Sequence, residues 1–345
     1  MAGNLPIDFS HPSVKSLVAW LTSWIEALIR LQVLTPLSTL VQIATILATE
    51  FIISPSLSKI IKEYHHTSIT PSTSFLGIFL VILWGLQIGY CFLLVIAWFV
   101  NPQESAERPF SLMNPTGVKI QRQAMSKALV HGTGMSFVIA NWVMAAYAVA
   151  FSTQNFIPAI ILIGLVVLIL IFVNLRLVIY YPAAWTRPFD YILLHAPARL
   201  FLLVTATLFL PLTAFIADGH DWTLPRHDLD YPWEGFAAVA VSGVLATIIA
   251  GWRRDLVWSA GTVWLLWCIG GLKPKSTPVM IAVIVFSILI PLTFMASLIL
   301  HMIYGRNEGR VRLEGEETPR VPPPASRGTP NTQVGNHEVQ SDVWG

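Results

Sequence analysis

Long apolar stretches separated by short polar breaks fill most of this 345-residue chain. A helix crossing the hydrocarbon core of a bilayer takes about 20 consecutive apolar residues, with a range near 17 to 25. Stretches 75–100, 129–152, 156–179 and 278–302 meet that length, and 197–217 is slightly shorter. Two weaker stretches, 235–251 and 256–272, form a hairpin around Trp252-Arg253-Arg254-Asp255. Stretch 37–54 adds a further span, with Glu50 near its end. Stretch 13–31 differs. Val14, Leu17, Val18, Leu21, Ile25, Leu28 and Ile29 recur at helical spacing, whereas Lys15, Ser16, Ser23, Glu26 and Arg30 take the other side. That pattern predicts an amphipathic helix lying in the membrane interface. The expected fold is an all-α, polytopic membrane helix bundle of about eight transmembrane helices plus an N-terminal amphipathic helix. A count of seven or nine follows if the first 55 residues are read otherwise.

The pattern divides the chain into an N-terminal segment 1–36, a transmembrane bundle 37–303 and a tail 304–345. The tail is polar, carries Pro322-Pro323-Pro324, and holds too little apolar surface to offset chain entropy, so it is expected to be disordered. No cleavable signal peptide is expected, because Glu26 and Arg30 interrupt the first apolar stretch and no small-residue cleavage site follows.

Composition agrees with the pattern. Charged residues make up 12% of the chain, against about 25% in soluble domains. Lys and Arg set orientation. One set of connections carries 12 of them, from Arg108 to Arg312, and the alternate set carries 5. The richer set is expected in the cytosol, together with both chain ends. The bilayer is thus the principal partner, and an endoplasmic reticulum location is expected. The net charge of +2 shows no basic patch for nucleic acid. Cys91 and Cys268 both lie in apolar stretches, at no metal-binding spacing. Oligomeric state is not readable from the sequence.

Against this apolar background, five of the 19 acidic residues fall in loop 218–234: Asp218, Asp221, Asp228, Asp230 and Glu234. Clustered acids at a membrane face suggest a site, although a solvated connector accounts for them equally well. Glu50, Asp218 and Glu234 all border apolar spans on the predicted lumenal side, with Asp221 and Asp230 further into the loop. A carboxyl in an apolar pocket has a raised pKa and can stay protonated near neutrality. It could protonate an epoxide or alkene, and aromatic faces could stabilise the resulting carbocation. The chain has 13 Trp, and Ala260, Trp264 and Trp267 share one helical face, so Trp264 and Trp267 are candidate contacts for a hydrophobic small-molecule substrate. Membrane-belt aromatics produce the same pattern. Gln87, Asn141 and Asn174 read first as amides that join helices. Asn141 also stands among the candidate substrate contacts. Arg199, one turn from His195, is expected to snorkel to headgroups. Asp218, His220, Asp221, His227, Asp228 and Asp230 show no trusted metal-ligand spacing, so no metal and no cofactor is expected. Nucleotide-binding, zinc-protease and serine-hydrolase motifs are absent, as is an Asp-rich motif for magnesium on a diphosphate.

The length, the span pattern over about 37–302, the short Arg253-Arg254-Asp255 hairpin and the run Lys273-Pro274-Lys275-Ser276-Thr277-Pro278 before the last span resemble the fungal membrane-bound terpene cyclases of the ascofuranone and ascochlorin type. The resemblance implies cyclisation of a prenylated, often epoxidised, meroterpenoid precursor and assigns no catalytic residue; the absence of a diphosphate-metal motif fits a cofactor-free, proton-initiated reaction. The alternatives are a small-solute or lipid transporter, using Glu50 and the embedded amides as a pathway, and a non-catalytic receptor or scaffold.

Overall fold

The computed structural model describes residues 12–99, 132–181, 191–219, 231–273 and 275–308, with side chains omitted for 12–30, 96–99 and 305–308. Helices dominate, and there is no strand among the described residues. The chain is an all-α polytopic bundle. Among the described residues, seven helical segments are long and apolar enough to cross a membrane: Leu31–Phe51, Thr73–Val95, Gly134–Ser152, Phe156–Tyr180, Tyr191–Ala217, Pro232–Arg253 and Thr277–Tyr304. They belong to helices α1 (Pro12–Phe51), α2 (Thr73–Phe99), α3 (Gly134–Ser152), α4 (Phe156–Tyr180), α5 (Tyr191–Ala217), α6 (Pro232–Arg253) and α8 (Thr277–Glu308). The eighth expected span is α7 (Leu256–Gly270), a helix of 15 residues. At about 1.5 Å per residue it reaches about 22 Å, short of a core about 30 Å thick.

The amphipathic stretch and the first span are not separate. α1 runs unbroken for 40 residues and passes through Pro36. Its length, about 60 Å, is twice the hydrocarbon thickness, so part of it leaves the membrane core. At the other end, α8 continues to Glu308, past the boundary expected at 303. Residues 309–345, where the disordered tail is expected, lie outside the described residues.

The described residues up to Leu300 pack as one compact unit. α1 and α4 flank α3, while α7 packs against α2, α5 and α6. Apolar side chains face both ways. Leu83, Leu94, Ile163, Leu170, Leu208 and Ile290 are buried, whereas Leu40, Ile161, Leu168, Val241 and Leu292 are more than half exposed. A soluble bundle would present a polar outer face; here the outer face is as oily as the core, as a bilayer requires.

α5 is segmented for a readable reason. Wide π-type turns at Tyr191–His195 and Thr205–Phe209 each end two residues before a proline, Pro197 and Pro211. A proline ring collides with the carbonyl four residues back and has no N–H to offer it. Those carbonyls, Leu193 and Thr207, sit inside the wide turns, which absorb the conflict without breaking the helix. The α6–α7 hairpin is equally local. Arg254 takes a left-handed conformation, φ 53°, which stops α6. Asp255 then caps α7 by accepting from the Trp258 N–H.

Candidate functional site

Of the acids expected to do chemistry, the structure describes Glu50, Asp218 and Glu234. Glu50 lies at the end of α1, partly buried, with both carboxylate oxygens occupied by Ser58. Oε2 accepts from the Ser58 N–H at 2.9 Å and Oε1 from its hydroxyl at 2.6 Å. This arrangement anchors the short helix Leu57–Lys59. Asp218 is exposed at the end of α5, and Glu234 is exposed in the first turn of α6. Asp221 and Asp230 lie outside the described residues, as do His220, His227 and Asp228. Trp264 donates its indole N–H to the Phe75 carbonyl at 3.1 Å and ties α7 to α2. Trp267 is 47% exposed on the outer surface.

Asp255 is a buried acid that the sequence analysis did not single out, and it corrects the expectation for Arg199. Arg199 does not snorkel to headgroups: its Nη1 meets Asp255 Oδ2 at 2.6 Å, with side chains 8% and 6% exposed. Asp255 Oδ1 also accepts from the Tyr191 hydroxyl at 3.1 Å and from the Trp258 N–H at 3.2 Å. The guanidinium lies 5.4 Å from the centre of the Tyr191 ring. Asp255 therefore accepts from three donors, and both of its oxygens are engaged within the protein. The pairing links α5 to the α6–α7 hairpin.

A second polar centre was hidden by attention to charge. Along α1, Gln32, Thr35, Ser38, Thr39, Gln42, Thr45 and Thr49 recur at steps of three and four residues, so they form one stripe over the whole span. Thr35, Ser38, Thr39, Gln42 and Thr49 are each no more than 2% exposed. On the opposite face, Leu40 is 65% exposed. The polar stripe thus faces protein and the apolar stripe faces lipid. Its hydroxyls are mostly served by their own helix, with Ser38 Oγ bonding Thr35 O at 2.9 Å, Thr45 Oγ1 bonding Val41 O at 2.7 Å and Thr49 Oγ1 bonding Ile46 O at 2.8 Å.

The amides are different. Asn141 on α3 donates to Thr39 Oγ1 at 3.1 Å and to Ser38 Oγ at 3.3 Å, while its Oδ1 stays buried without a partner. On α2, Cys91 Sγ lies 3.9 Å from Thr39 Oγ1, and the Leu94 carbonyl accepts from Gln32 at 3.0 Å. As α1 ascends from 32 to 39, α2 descends from 94 to 91. The antiparallel register sets Gln42 level with Gln87, one turn from Cys91. Gln87 is 0% exposed, and neither its Oε1 nor its Nε2 has a partner. Gln42 Oε1 and the indole N–H of Trp84, one turn from Gln87, are likewise buried and unpartnered. An unsatisfied buried polar atom costs about 1–3 kcal/mol, so five of them would consume a stability of about 5–15 kcal/mol. These groups call for hydrogen-bonding partners that the described residues do not supply, a role open to buried water or to a small polar solute.

The helix-joining reading thus holds for Asn174, which donates to the Ala198 carbonyl of α5 at 3.1 Å, and for Asn141, and it fails for Gln87. The missed signal was present in the chain as a three-and-four spacing of Gln, Ser and Thr within an apolar span.

Outside the spans, Lys275 precedes α8. Its Nζ donates to the carbonyls of Thr70 at 2.7 Å and Ser68 at 3.0 Å. Burial pushes its pKa down to about 7. Among the described residues, no three His, Cys, Asp or Glu side chains meet in a metal-binding group, and Cys91 and Cys268 are free thiols. No protein-family model, no curated protein and no solved structure matches this chain.

Proposed function

We propose that this integral, multi-pass membrane protein is a small-solute transporter whose pathway is the polar seam of α1 against α2 and α3. The carrying observation is the fully buried Gln87 amide, which lacks a partner and which the α1–α2 register sets level with Gln42. Polar groups inside a membrane are costly, and those facing a bundle interior typically mark a pathway or a binding site. The seam begins at Gln32 and ends at Thr49 beside Glu50, so it extends across one whole span. The cyclase reading needs a carboxyl in a dry pocket, and the described acids offer an anchored Glu50, an ion-paired Asp255 and the exposed Asp218 and Glu234.

Cysteine accessibility tests the reading. In a variant with Cys91 and Cys268 replaced by Ala, single cysteines would be placed at Ser38, Gln42 and Thr45 in the seam and at Leu40 and Leu47 on the lipid face. Seam positions are expected to react with a small, charged thiosulfonate reagent in intact membranes, and the lipid-facing positions are expected not to. Equal protection of both sets refutes a wet pathway. Microsomes fed a prenylated epoxide supply the contrasting arm, because a cyclised product would favour the enzyme reading instead.

A further inference from the structure

Resting on that transport reading, we propose that Gln42, Gln87, Asn141 and Trp84 form a selectivity site for one small uncharged molecule of the urea and carboxamide class, with Gln87 as its specificity-determining residue. The unpartnered groups define the guest. Two donors, Gln87 Nε2 and Trp84 Nε1, and three acceptors, Gln87 Oε1, Gln42 Oε1 and Asn141 Oδ1, are buried without partners. A urea carbonyl accepts two hydrogen bonds and its two NH₂ groups donate four, enough to serve both donor nitrogens and all three oxygens, with one N–H of the guest and one of Gln87 to spare. An amide side chain also pairs with a guest amide through two parallel hydrogen bonds, and it does so in either orientation of its O and N.

Ions suit the site poorly. A cation would meet three amide oxygens but also two N–H donors, and the described lining residues bring no carboxylate to offset its charge in a medium where an unpaired ion is expensive. An anion would meet the Gln87 carbonyl oxygen beside its N–H donors, and the described lining residues bring no cation to offset its charge. A purely apolar guest would leave all five groups unsatisfied. The site therefore selects by hydrogen-bond count at zero charge. The close helix contacts set the scale of the guest. Asn141 reaches Thr39 directly at 3.1 Å and Gln32 reaches Leu94 at 3.0 Å, so the guest has to be a few heavy atoms in size.

The test uses the purified full chain in liposomes. Stopped-flow light scattering would follow the entry of urea and acetamide, and encapsulated dyes would follow K⁺ and Cl⁻. Urea entry is expected to exceed that of protein-free liposomes by at least about tenfold, the factor that corresponds to one well-made hydrogen bond, with both ions at background. Gln87→Leu should return urea entry to background, and Gln87→Asn, which keeps both polar groups, should retain part of it. Helical content and monodispersity would be matched for each protein. Ion flux that equals or exceeds urea flux overturns this selectivity and leaves the transport reading standing. Urea flux unchanged by Gln87→Leu overturns the role of Gln87. No flux of any solute overturns the selectivity, and the transport reading falls with it only if the seam cysteines are also protected.

Discussion

Removing one member of a buried ion pair strands the other, and that is the residue-scale lesson of Arg199 and Asp255. Arg199→Met leaves a carboxylate with two neutral donors, and Asp255→Leu leaves an unpaired guanidinium. Each single change is expected to cost about 3–5 kcal/mol, whereas the double change should cost less than the sum, since apolar replacement of a whole buried pair is often near neutral. Thermal unfolding in detergent would measure this, and additive losses would show that the pair is not coupled. Lys275 gives a pH dependence. Its free pKa of 10.5 falls to about 7 in the fold, so between those values the unfolded chain binds the extra proton. Stability is therefore lowest below pH 7 and rises towards pH 10. Melting temperatures of the wild type relative to Lys275→Met should diverge over that interval, and parallel curves would contradict the shift. Both residues stand in the sequence as ordinary surface cations, because burial is a property of what packs over a side chain and no local pattern encodes it.

Individual helices carry more of their own explanation. The prolines of α5 and the capping Asp255 of α7 are local features, and the segmentation of one and the start of the other follow from backbone chemistry alone. Close approach is only half local. A Cβ on Gly261 would lie 2.7 Å from Leu200 Cδ2 and 2.9 Å from Leu203 Cδ1, so α7 and α5 touch through that glycine. Gly261→Ala should cost about 1–3 kcal/mol by overpacking, and Gly77→Ala, where nothing lies within 4 Å, should not. If the two variants unfold together at the wild-type temperature, the α5–α7 contact is looser than described. The stripe of Gln, Ser and Thr on α1 was legible as periodicity, but its meaning depended on which helices lay opposite. The same stripe facing Asn141 alone would be glue. Facing Gln87 as well, it leaves amides unserved.

For the whole molecule, orientation is the open physical variable, and the charge asymmetry specifies it. Setting aside Arg199, which is paired inside the bundle, the face bearing the connections 108–127 and 176–187 carries the excess of cations whether or not the short α7 crosses, eleven against five if it does and ten against six if it does not, and that face is cytosolic. An acceptor sequon engineered into loop 218–234 should be glycosylated in the endoplasmic reticulum, and one in the tail reads whether α7 crosses, unmodified with eight crossings and modified with seven; glycosylation of the tail alone reverses the orientation. The sequence by itself determined the class of the protein, because a bilayer demands long, uninterrupted apolar helices and such runs are visible without any knowledge of packing. It also determined the widened turns of α5 before Pro197 and Pro211 and the Arg254-Asp255 turn, which depend on neighbours within four residues. Only the tertiary structure decided that Arg199 is paired, that Glu50 is an anchor and that Gln87 is unserved. Each of those facts depends on a partner that lies far along the chain or is missing from the space around it, and a hydrogen bond made or missing across helices leaves no trace in a linear pattern.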